Sequence, residues 1–181
     1  TYDKVGNRLT RTGGDGTTTY QYDANDRLLT DGTKTYDYDE AGNLLAVTST
    51  NGDSLEIERK ACGQISRTTQ VAGGVTTVTE HDYTGGTRVR TTVNGTDVTN
   101  FLVDRNQPFH QVLQETDAAG AEIAAYDYGR LRLLRRSTAG TQTYHHDGRG
   151  STRSLSDAAG NPSDSYTYDA FGVALQHQGS S

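Results

Sequence analysis

The chain has 181 residues, of which 31% are hydrophobic, and a formal net charge of −6. This apolar fraction lies far below the roughly 45–50% usual for globular domains, so the sequence predicts little compact core. The 17 Lys and Arg residues are scattered and form no basic stripe that would neutralise phosphates, which argues against nucleic-acid binding. No apolar run approaches the ~18 residues that a membrane span needs.

A short motif recurs from the first residues onward. "TYDKVGNRL" opens the chain, "QYDANDRLL" follows with Asp26 where the glycine would stand, and "DYDEAGNLL" is the third copy. Less regular copies surround Gly63, begin at His81 and Thr116, and return near the end as "HDGRGSTRSL", "SDAAGNPSD" and "YDAFGVAL". Spacings of roughly 20 residues indicate an array of supersecondary units rather than one catalytic constellation.

Strands are predicted wherever polar and apolar residues alternate. Four such stretches hold a Tyr-x-Tyr pair, namely Tyr20/Tyr22, Tyr36/Tyr38, Tyr126/Tyr128 and Tyr166/Tyr168. Because side chains alternate across a strand, both rings of a pair lie on one face, where they can form cross-strand aromatic pairs. A base-stacking platform is the alternative, but it would need a basic surround that the sequence lacks.

A turn is predicted after each Tyr-Asp. The aspartate accepts a hydrogen bond from a backbone N–H two residues on, and the glycine takes a positive φ. The alternative is that the aspartates bind calcium, but the residues after them are mostly apolar or Gly rather than alternating oxygen ligands. The predicted structural turn positions are Tyr2, Asp3, Gly6, Tyr22, Asp23, Tyr38, Asp39, Gly42, Asp82, Gly85, Asp117, Gly120, Asp147, Gly150, Asp157, Gly160, Tyr168, Asp169 and Gly172.

Three further dipeptides, Asp31-Gly32, Asn51-Gly52 and Asn94-Gly95, are typical of type I′ hairpin turns. Hairpins that alternate with the repeat turns predict an all-β fold, an antiparallel sheet built by local pairing. We expect very little helix.

The pattern changes between residues 100 and 136, the most apolar part of the chain. Leu131 and Leu133 alternate with Arg130, Arg132 and Arg135, which predicts a strand with one apolar and one basic face. A solvated basic face is favoured over a phosphate-binding patch. Pro108 predicts an edge or a loop.

No residue set indicates catalysis or metal binding. The single cysteine, Cys62, is predicted to be a small packed side chain. The adjacent His145 and His146 point to opposite faces of a strand and cannot bind one metal together. Asp147, Arg149, Arg153 and Asp157 match repeat positions. The sequence therefore predicts no catalytic residue, no metal site and no cofactor. The missing start Met favours an internal fragment of a longer chain.

The Tyr-Asp-x-x-Gly-Asn units resemble the YD repeats of the RHS family, which includes bacterial polymorphic toxins, the shell of insecticidal toxin complexes and the animal teneurins. The stretches "FLVDRNQPFHQVLQETDAAGAEIAAYDYG" and "YHHDGRGSTRSLSDAAGNPSDSYTYDAFG" are similar to the C-terminal part of that repeat region. The resemblance implies YD-type hairpin repeats over residues 1–99 and a continuous C-terminal repeat segment over 100–181.

The resemblance also implies a function. RHS chains wind a β-ribbon into a curved, spiralling shell around a toxic C-terminal polypeptide, so this segment would be structural, non-enzymatic, and secreted or on a bacterial cell surface. Its partners would be the rest of a longer RHS chain and its toxin. A self-cleaving Asp-Pro motif known in the family has no match here, so no catalytic residue is carried over. Two alternatives stay open: a carbohydrate-binding or adhesion module, and a β-fibre element that self-associates through sheet edges.

Overall fold

The computed structural model describes residues 1–13, 16–169 and 172–179. Within those ranges the chain forms strands, turns and bends without a helical segment, which confirms the all-β prediction. The strands are β1 (Thr10–Gly13), β2 (Gly16–Thr19), β3 (Gln21–Tyr22), β4 (Leu28–Thr30), β5 (Lys34–Tyr38), β6 (Leu44–Ser49), β7 (Ser54–Arg59), β8 (Ile65–Ala72), β9 (Val75–Thr84), β10 (Thr87–Val93), β11 (Asp97–Asp104), β12 (Gln111–Thr116), β13 (Glu122–Tyr128), β14 (Arg132–Ser137), β15 (Gly140–His146), β16 (Thr152–Ser156), β17 (Pro162–Tyr168) and β18 (Ala174–Gln178). None of the described residues belongs to a helix that is long and apolar enough to cross a membrane.

The first of two compact units comprises Thr1–Asp82 and Thr91–Thr96. Strands β3 to β8 follow one another in chain order, and each pairs antiparallel with the next. β9 continues the order by pairing with β8. β1 and β2 form a separate hairpin. The unit is thus built by local pairing of neighbouring strands, as the turn signals predict.

The second unit comprises Tyr83–Arg90 and Asp97–Ser181. Strands β11 to β18 again follow one another in chain order, and every neighbouring pair is antiparallel. Pro108 lies in the loop between β11 and β12, where a missing N–H costs no ladder hydrogen bond.

A β-bulge lies next to most of the repeat turns. In β5–β6, Tyr38 pairs with Leu44 but Asp37 pairs with Ala46, so Leu45 is an extra residue on β6. A bulge bends its strand and increases the local twist. The alternation in the sequence did not predict these bulges. Equivalent shifts occur beside Gln21/Tyr22, Glu58/Arg59, Leu102/Val103, Glu115/Thr116, Asp127/Tyr128, His145/His146, Leu155/Ser156 and Thr167/Tyr168.

The tyrosines of the Tyr-x-Tyr strands β5, β13 and β17, and Tyr144 of β15, lie on one face of the sheet of their unit, called here the tyrosine face. In the first unit, Tyr36 pairs with Val47, which pairs in turn with Leu55. In the second unit, Tyr144 pairs with Leu155. Directly paired residues lie on the same side, so the rings pack beside aliphatic side chains.

Burial contributes little to either unit. Among the described residues, the only buried hydrophobic side chains are Ala124 and Leu155. The predicted shortage of core is therefore confirmed, and ladder hydrogen bonds and cross-strand pairs must stabilise the sheets. Cys62 contradicts its prediction: it is exposed rather than packed, and its Sγ lies 3.3 Å from Oε1 of Gln64.

Two of the three predicted type I′ turns are wrong. A type I′ turn needs positive φ at both central residues. Asn94 and Gly95 meet this condition with φ of 51° and 74°. In the Asp31-Gly32 and Asn51-Gly52 turns, however, only the glycine has a positive φ. A hydrogen bond from Gly52 N to Ser49 O shows that the second of these turns resembles the repeat turns instead.

Gly42 offers a direct test of the turn geometry, because its φ is +86° and a side chain there is strained even though space is available. Gly42→Val should lower the free energy of unfolding by about 1–3 kcal/mol. Denaturant unfolding measures this change. The control is Gly148→Val, since Gly148 has no positive φ and no atom lies within 4 Å of an added Cβ. Equal loss from both substitutions would contradict the assignment.

Candidate functional site

Asp39 shows how the repeat turn is built. Its backbone N–H donates to the carbonyl of Asn43 (2.9 Å), and its own carbonyl accepts the N–H of Gly42 (3.0 Å). Its side chain accepts from the same partner twice: Oδ1 from the backbone N–H of Asn43 (2.8 Å) and Oδ2 from its Nδ2 (2.9 Å). One carboxylate therefore closes a five-residue loop and satisfies donors that the ladder cannot reach.

The same arrangement recurs in both units. Asp3 accepts from Val5 and Asn7, and Asp147 accepts from Arg149 and Ser151. The corresponding side-chain bonds are also present at Asp23, Asp117, Asp157 and Asp169. As predicted, the glycines of these turns have positive φ at Gly6, Gly42, Gly63, Gly120, Gly150, Gly160 and Gly172.

Two positions depart from this arrangement. Asp26 replaces the glycine of the second repeat and takes a φ of 61°, which an aspartate tolerates better than most side chains. Asp82 contradicts the prediction, because it lies inside strand β9 and not at a turn. The turn after β9 is made by Gly85 and Gly86, with φ of 55° and 84°. Two adjacent glycines reverse the chain, and the side chain of Arg105 donates to the carbonyl of Thr84 beside them (3.4 Å).

The turn hydrogen bonds set the ionisation of these carboxyls. Bonds from the side chain and backbone of Asn43 lower the pKa of Asp39 below its ordinary value of 3.8. The backbone N–H of Arg27 and that of Arg149 lower the pKa of Asp23 and of Asp147 in the same way. A carboxylate that accepts several N–H bonds is stabilised in its charged form.

The geometry gives these carboxylates a structural task. Their oxygens accept hydrogen bonds from donors of their own loop. In the described part of the chain, no three His, Cys, Asp or Glu side chains are grouped closely enough to hold a metal ion.

Tyrosine hydroxyls join successive repeats, a feature that the sequence reading missed. The hydroxyls of Tyr22, Tyr38 and Tyr128 donate to the carbonyls of Arg8 (3.1 Å), Leu28 (3.0 Å) and Val112 (3.0 Å). For Tyr38 and Tyr128, the acceptor carbonyl lies outside the run of paired residues that joins its strand to the neighbouring hairpin. Leu28 precedes the Thr30↔Thr35 pair, and Val112 precedes the Gln114↔Ala125 pair. For Tyr22 and Tyr38, the position directly before the turn Asp was the available signal.

Further side chains link one turn to the next in the first unit. Arg27 pairs with Asp23 of its own turn (2.6 Å) and donates through Nη1 to the carbonyl of Asp39 in the next (3.0 Å). Asn7 Nδ2 donates in the same manner to Asp26 (2.8 Å). The turns thus form a connected series rather than independent loops.

Arg132 contradicts the prediction of a solvated basic face. Its guanidinium carbon lies 4.4 Å from the ring centre of Tyr126 and 5.6 Å from those of Tyr128 and Tyr144. The bulge beside Tyr128 and Arg132 interrupts the alternation, so Arg132 falls on the tyrosine face. Cation–π attraction and stacking then hold a half-buried guanidinium among three rings.

The two histidines behave as predicted for opposite faces. His145 contacts the hydroxyl of Ser156 (2.8 Å), whereas His146 Nε2 lies 2.8 Å from the carbonyl of Arg132. His146 thus occupies the position at which other repeats have the bridging tyrosine.

Comparison with known proteins identifies related sequences. The family model described as RHS Repeat matches residues 2–32 and 29–54. The tRNA3(Ser)-specific nuclease WapA of Bacillus spizizenii is 31% identical over 173 residues, which is 94% of this chain and 6% of that protein. The tRNA(Glu)-specific nuclease WapA of Bacillus subtilis subsp. natto is 30% identical with the same coverage. This chain therefore spans about 6% of the length of these curated relatives.

Solved structures are similar at a lower level. The crystal structure of TcdB2-TccC3-Cdc42 aligns with 98% of this chain and 11% of its own, with 13% identity and a TM-score of 0.47.

Acid should destabilise the chain through the turn aspartates. Their folded pKa values are depressed, so their stabilisation is complete above the ordinary value of 3.8 and is lost as the pH falls through the lower folded values. The melting temperature should be level from about pH 7 to about pH 5 and should fall steeply below about pH 4.

Asp39→Asn should lower the melting temperature at neutral pH and make the acid decline shallower, because one low-pKa carboxyl is removed. Asp37→Asn is the matched control, since Asp37 is an exposed strand residue of β5. Circular dichroism melts across the pH range measure both. An unchanged acid slope in Asp39→Asn would contradict the role of that carboxyl.

The tyrosine bridge can be tested by removing one hydroxyl. Tyr38→Phe should lower the free energy of unfolding by about 0.5–1.5 kcal/mol, because the Leu28 carbonyl loses its donor. Tyr168→Phe is the control: among the described residues, its hydroxyl has no hydrogen-bond partner. The bridge would be ruled out if the two variants unfolded at the same denaturant concentration.

Proposed function

Because this chain belongs to the RHS-repeat family, as its Tyr-Asp-x-x-Gly-Asn units predict, we propose that it is a structural wall segment of a longer chain. In that chain it would help to enclose a toxic polypeptide carried at the C-terminal end. The observation that carries the proposal is the use of the repeated carboxylates. Each one closes its own turn, so the most conspicuous acidic groups of the chain serve architecture rather than chemistry.

The strand order supports a wall. In each unit, neighbouring strands pair in chain order, and nearly all side chains remain at least partly exposed. A sheet of this kind is lengthened by adding hairpins at its end, because no closed core has to be completed. The bulges next to most of the repeat turns bend and twist the strands, which favours a curved ribbon over a flat one.

The relatives also support a structural role for this segment of a longer chain. The curated proteins are named as tRNA nucleases, yet this chain corresponds to only 6% of their length. We therefore assign no nuclease or other catalytic role to this segment. A toxin-delivery role would place the longer chain outside the cell or on the bacterial surface.

Protease protection tests the enclosing role. In the longer chain, the polypeptide that follows the wall should resist a protease that cleaves the same polypeptide when it is expressed alone. Asp39→Ala should accelerate the cleavage, because a turn of the wall is weakened. Asp37→Ala should not, since Asp37 lies on an exposed strand position of β5. Equally rapid cleavage of the enclosed and the free polypeptide would refute the proposal.

The absence of chemistry is tested separately on the 181-residue chain. Purified chain, kept with protease inhibitors, should stay intact on a denaturing gel, and its melting temperature should not change with calcium or zinc. Fragments that disappear in Asp147→Ala would mean that the segment cleaves itself. A rise of several degrees with calcium would instead show that the turn aspartates bind metal.

A further inference from the structure

The connection between β11 and β12 is built differently from the repeat turns. All of its residues, 105–110, are exposed. A repeat turn such as that of Asp39 is closed by two backbone hydrogen bonds across the loop. In the β11–β12 loop, by contrast, the backbone groups of Gln107 and Phe109 have no hydrogen-bond partner within the described ranges. Backbone groups that the protein itself does not satisfy are open to water or to another chain.

This loop contains only the first part of the turn arrangement. Oδ1 of Asp104 accepts the N–H of Asn106 (2.8 Å), as the carboxylate of a turn aspartate does. Gln107 then stands where a repeat turn has its glycine, and none of the residues 105–110 has a positive φ. The chain therefore does not reverse tightly after Asn106 but continues as an open loop.

Phe109 is the most exposed large hydrophobic residue in the described part of the chain, at 85%. It follows Pro108, whose ring fixes φ and biases Gln107 towards an extended conformation. A peptide that adds as a strand to the edge of a binding cleft is extended, with its backbone bonded to the partner and alternate side chains in pockets. The loop thus combines a recognisable aromatic side chain with a backbone that is already prepared for such binding.

Two contacts hold the ends of the loop. Nη1 of Arg105 donates to the carbonyl of Thr84 (3.4 Å). Nδ1 of His110 lies 3.1 Å from the hydroxyl of Thr87, which is 6% exposed. Residues 106–109 are therefore presented between two fixed points. The contact of His110 has to open before the chain on that side of the loop can enter a cleft.

From these features we propose that the peptide bond between Phe109 and His110 is a cleavage site for an endoprotease whose specificity pocket accepts aromatic side chains. The phenyl ring would enter that pocket, and Gln107 and Pro108 would lie extended beside it. Hydrolysis breaks the C–N bond between the two residues. The oxygen of one water molecule completes a new carboxylate on Phe109, and its two protons end on the nitrogen of His110, which becomes a new terminal ammonium.

A cut at this bond would leave the two pieces of the chain together. β11 and β12 remain paired from Asn100↔Thr116 to Asp104↔Gln111, and Nδ2 of Asn100 donates to the carbonyl of Asp117 (2.8 Å). The cut would therefore replace a covalent connection by a seam that only non-covalent contacts hold. The site belongs to the second unit alone and does not depend on whether the longer chain encloses a polypeptide.

Chymotrypsin serves as the probe, because its specificity pocket is a hydrophobic slot. The 181-residue chain is digested briefly under native conditions, and the fragments are identified by mass spectrometry. Within residues 16–169, the first cut should fall after Phe109 and give pieces that end at residue 109 and begin at residue 110. The two pieces should co-elute in size-exclusion chromatography until denaturant is added.

Two variants test how the loop is recognised and held. Phe109→Asp should slow the first cut in the β11–β12 loop about tenfold or more, because a hydrophobic pocket excludes a carboxylate. Thr87→Val should accelerate the cut, because His110 loses the hydroxyl that holds its end of the loop.

Two controls separate the open backbone from mere access to an aromatic ring. Phe101 is paired with Glu115 in the ladder, so the bond after it should stay intact. Ala41→Phe places a ring at an exposed position of the closed turn of Asp39, and this turn should resist the protease. The proposal is overturned if the first cut within residues 16–169 falls elsewhere, if Phe109→Asp is cut in the loop at an unchanged rate, or if the turn with Ala41→Phe is cut as fast as the loop. Pieces that separate without denaturant would refute the seam.

Discussion

Both units depend on one interaction, in which an aspartate carboxylate accepts hydrogen bonds from the backbone N–H groups of its own loop. A sheet made of short strands has many reversals, and each reversal leaves backbone groups without a ladder partner. In this chain an aspartate repeatedly meets that demand, with Asn43 at Asp39 and Asn161 at Asp157 as matching partners. The turn then sets the register of the next strand, and the register decides which side chains reach the tyrosine face.

The second requirement is lateral cohesion, since neither unit has much buried surface. Ladder bonds join neighbouring strands, but the ladder between β4 and β5 includes only the Thr30↔Thr35 pair. Where the paired residues end, a tyrosine hydroxyl or an arginine side chain donates a hydrogen bond to a carbonyl of the neighbouring repeat, as Tyr38 and Arg27 do. Tyrosine meets both needs of this design, because its ring packs on a half-open face while its hydroxyl reaches a carbonyl on the neighbouring hairpin.

Local features could be predicted from the sequence, and features that depend on register could not. The Asp-x-x-Gly turn has its donor, acceptor and flexible position within five residues, so the reasoning that applied to Asp39 also applied to Asp147. The bulges depend on how two strands pair, and a period-2 pattern contains no information about one inserted residue. That omission explains why Arg132 was assigned to the wrong surroundings. The cavity lined by Tyr126, Tyr144 and Tyr166 was hidden for the same reason, because these side chains border one space only when β13 to β17 are in register.

Neighbour-only pairing also determines how each sheet would come apart under tension. In each unit, a strand is bonded chiefly to the strands that precede and follow it in the chain. A pull on one end of such an array opens the outermost hairpin first and leaves the remaining ladders intact. The mechanical load is thus borne by one strand pair at a time, so the array would unzip stepwise at modest force instead of rupturing as a whole. A chain with this connectivity is suited to being threaded through a narrow opening, and also to being assembled hairpin by hairpin as it leaves a ribosome.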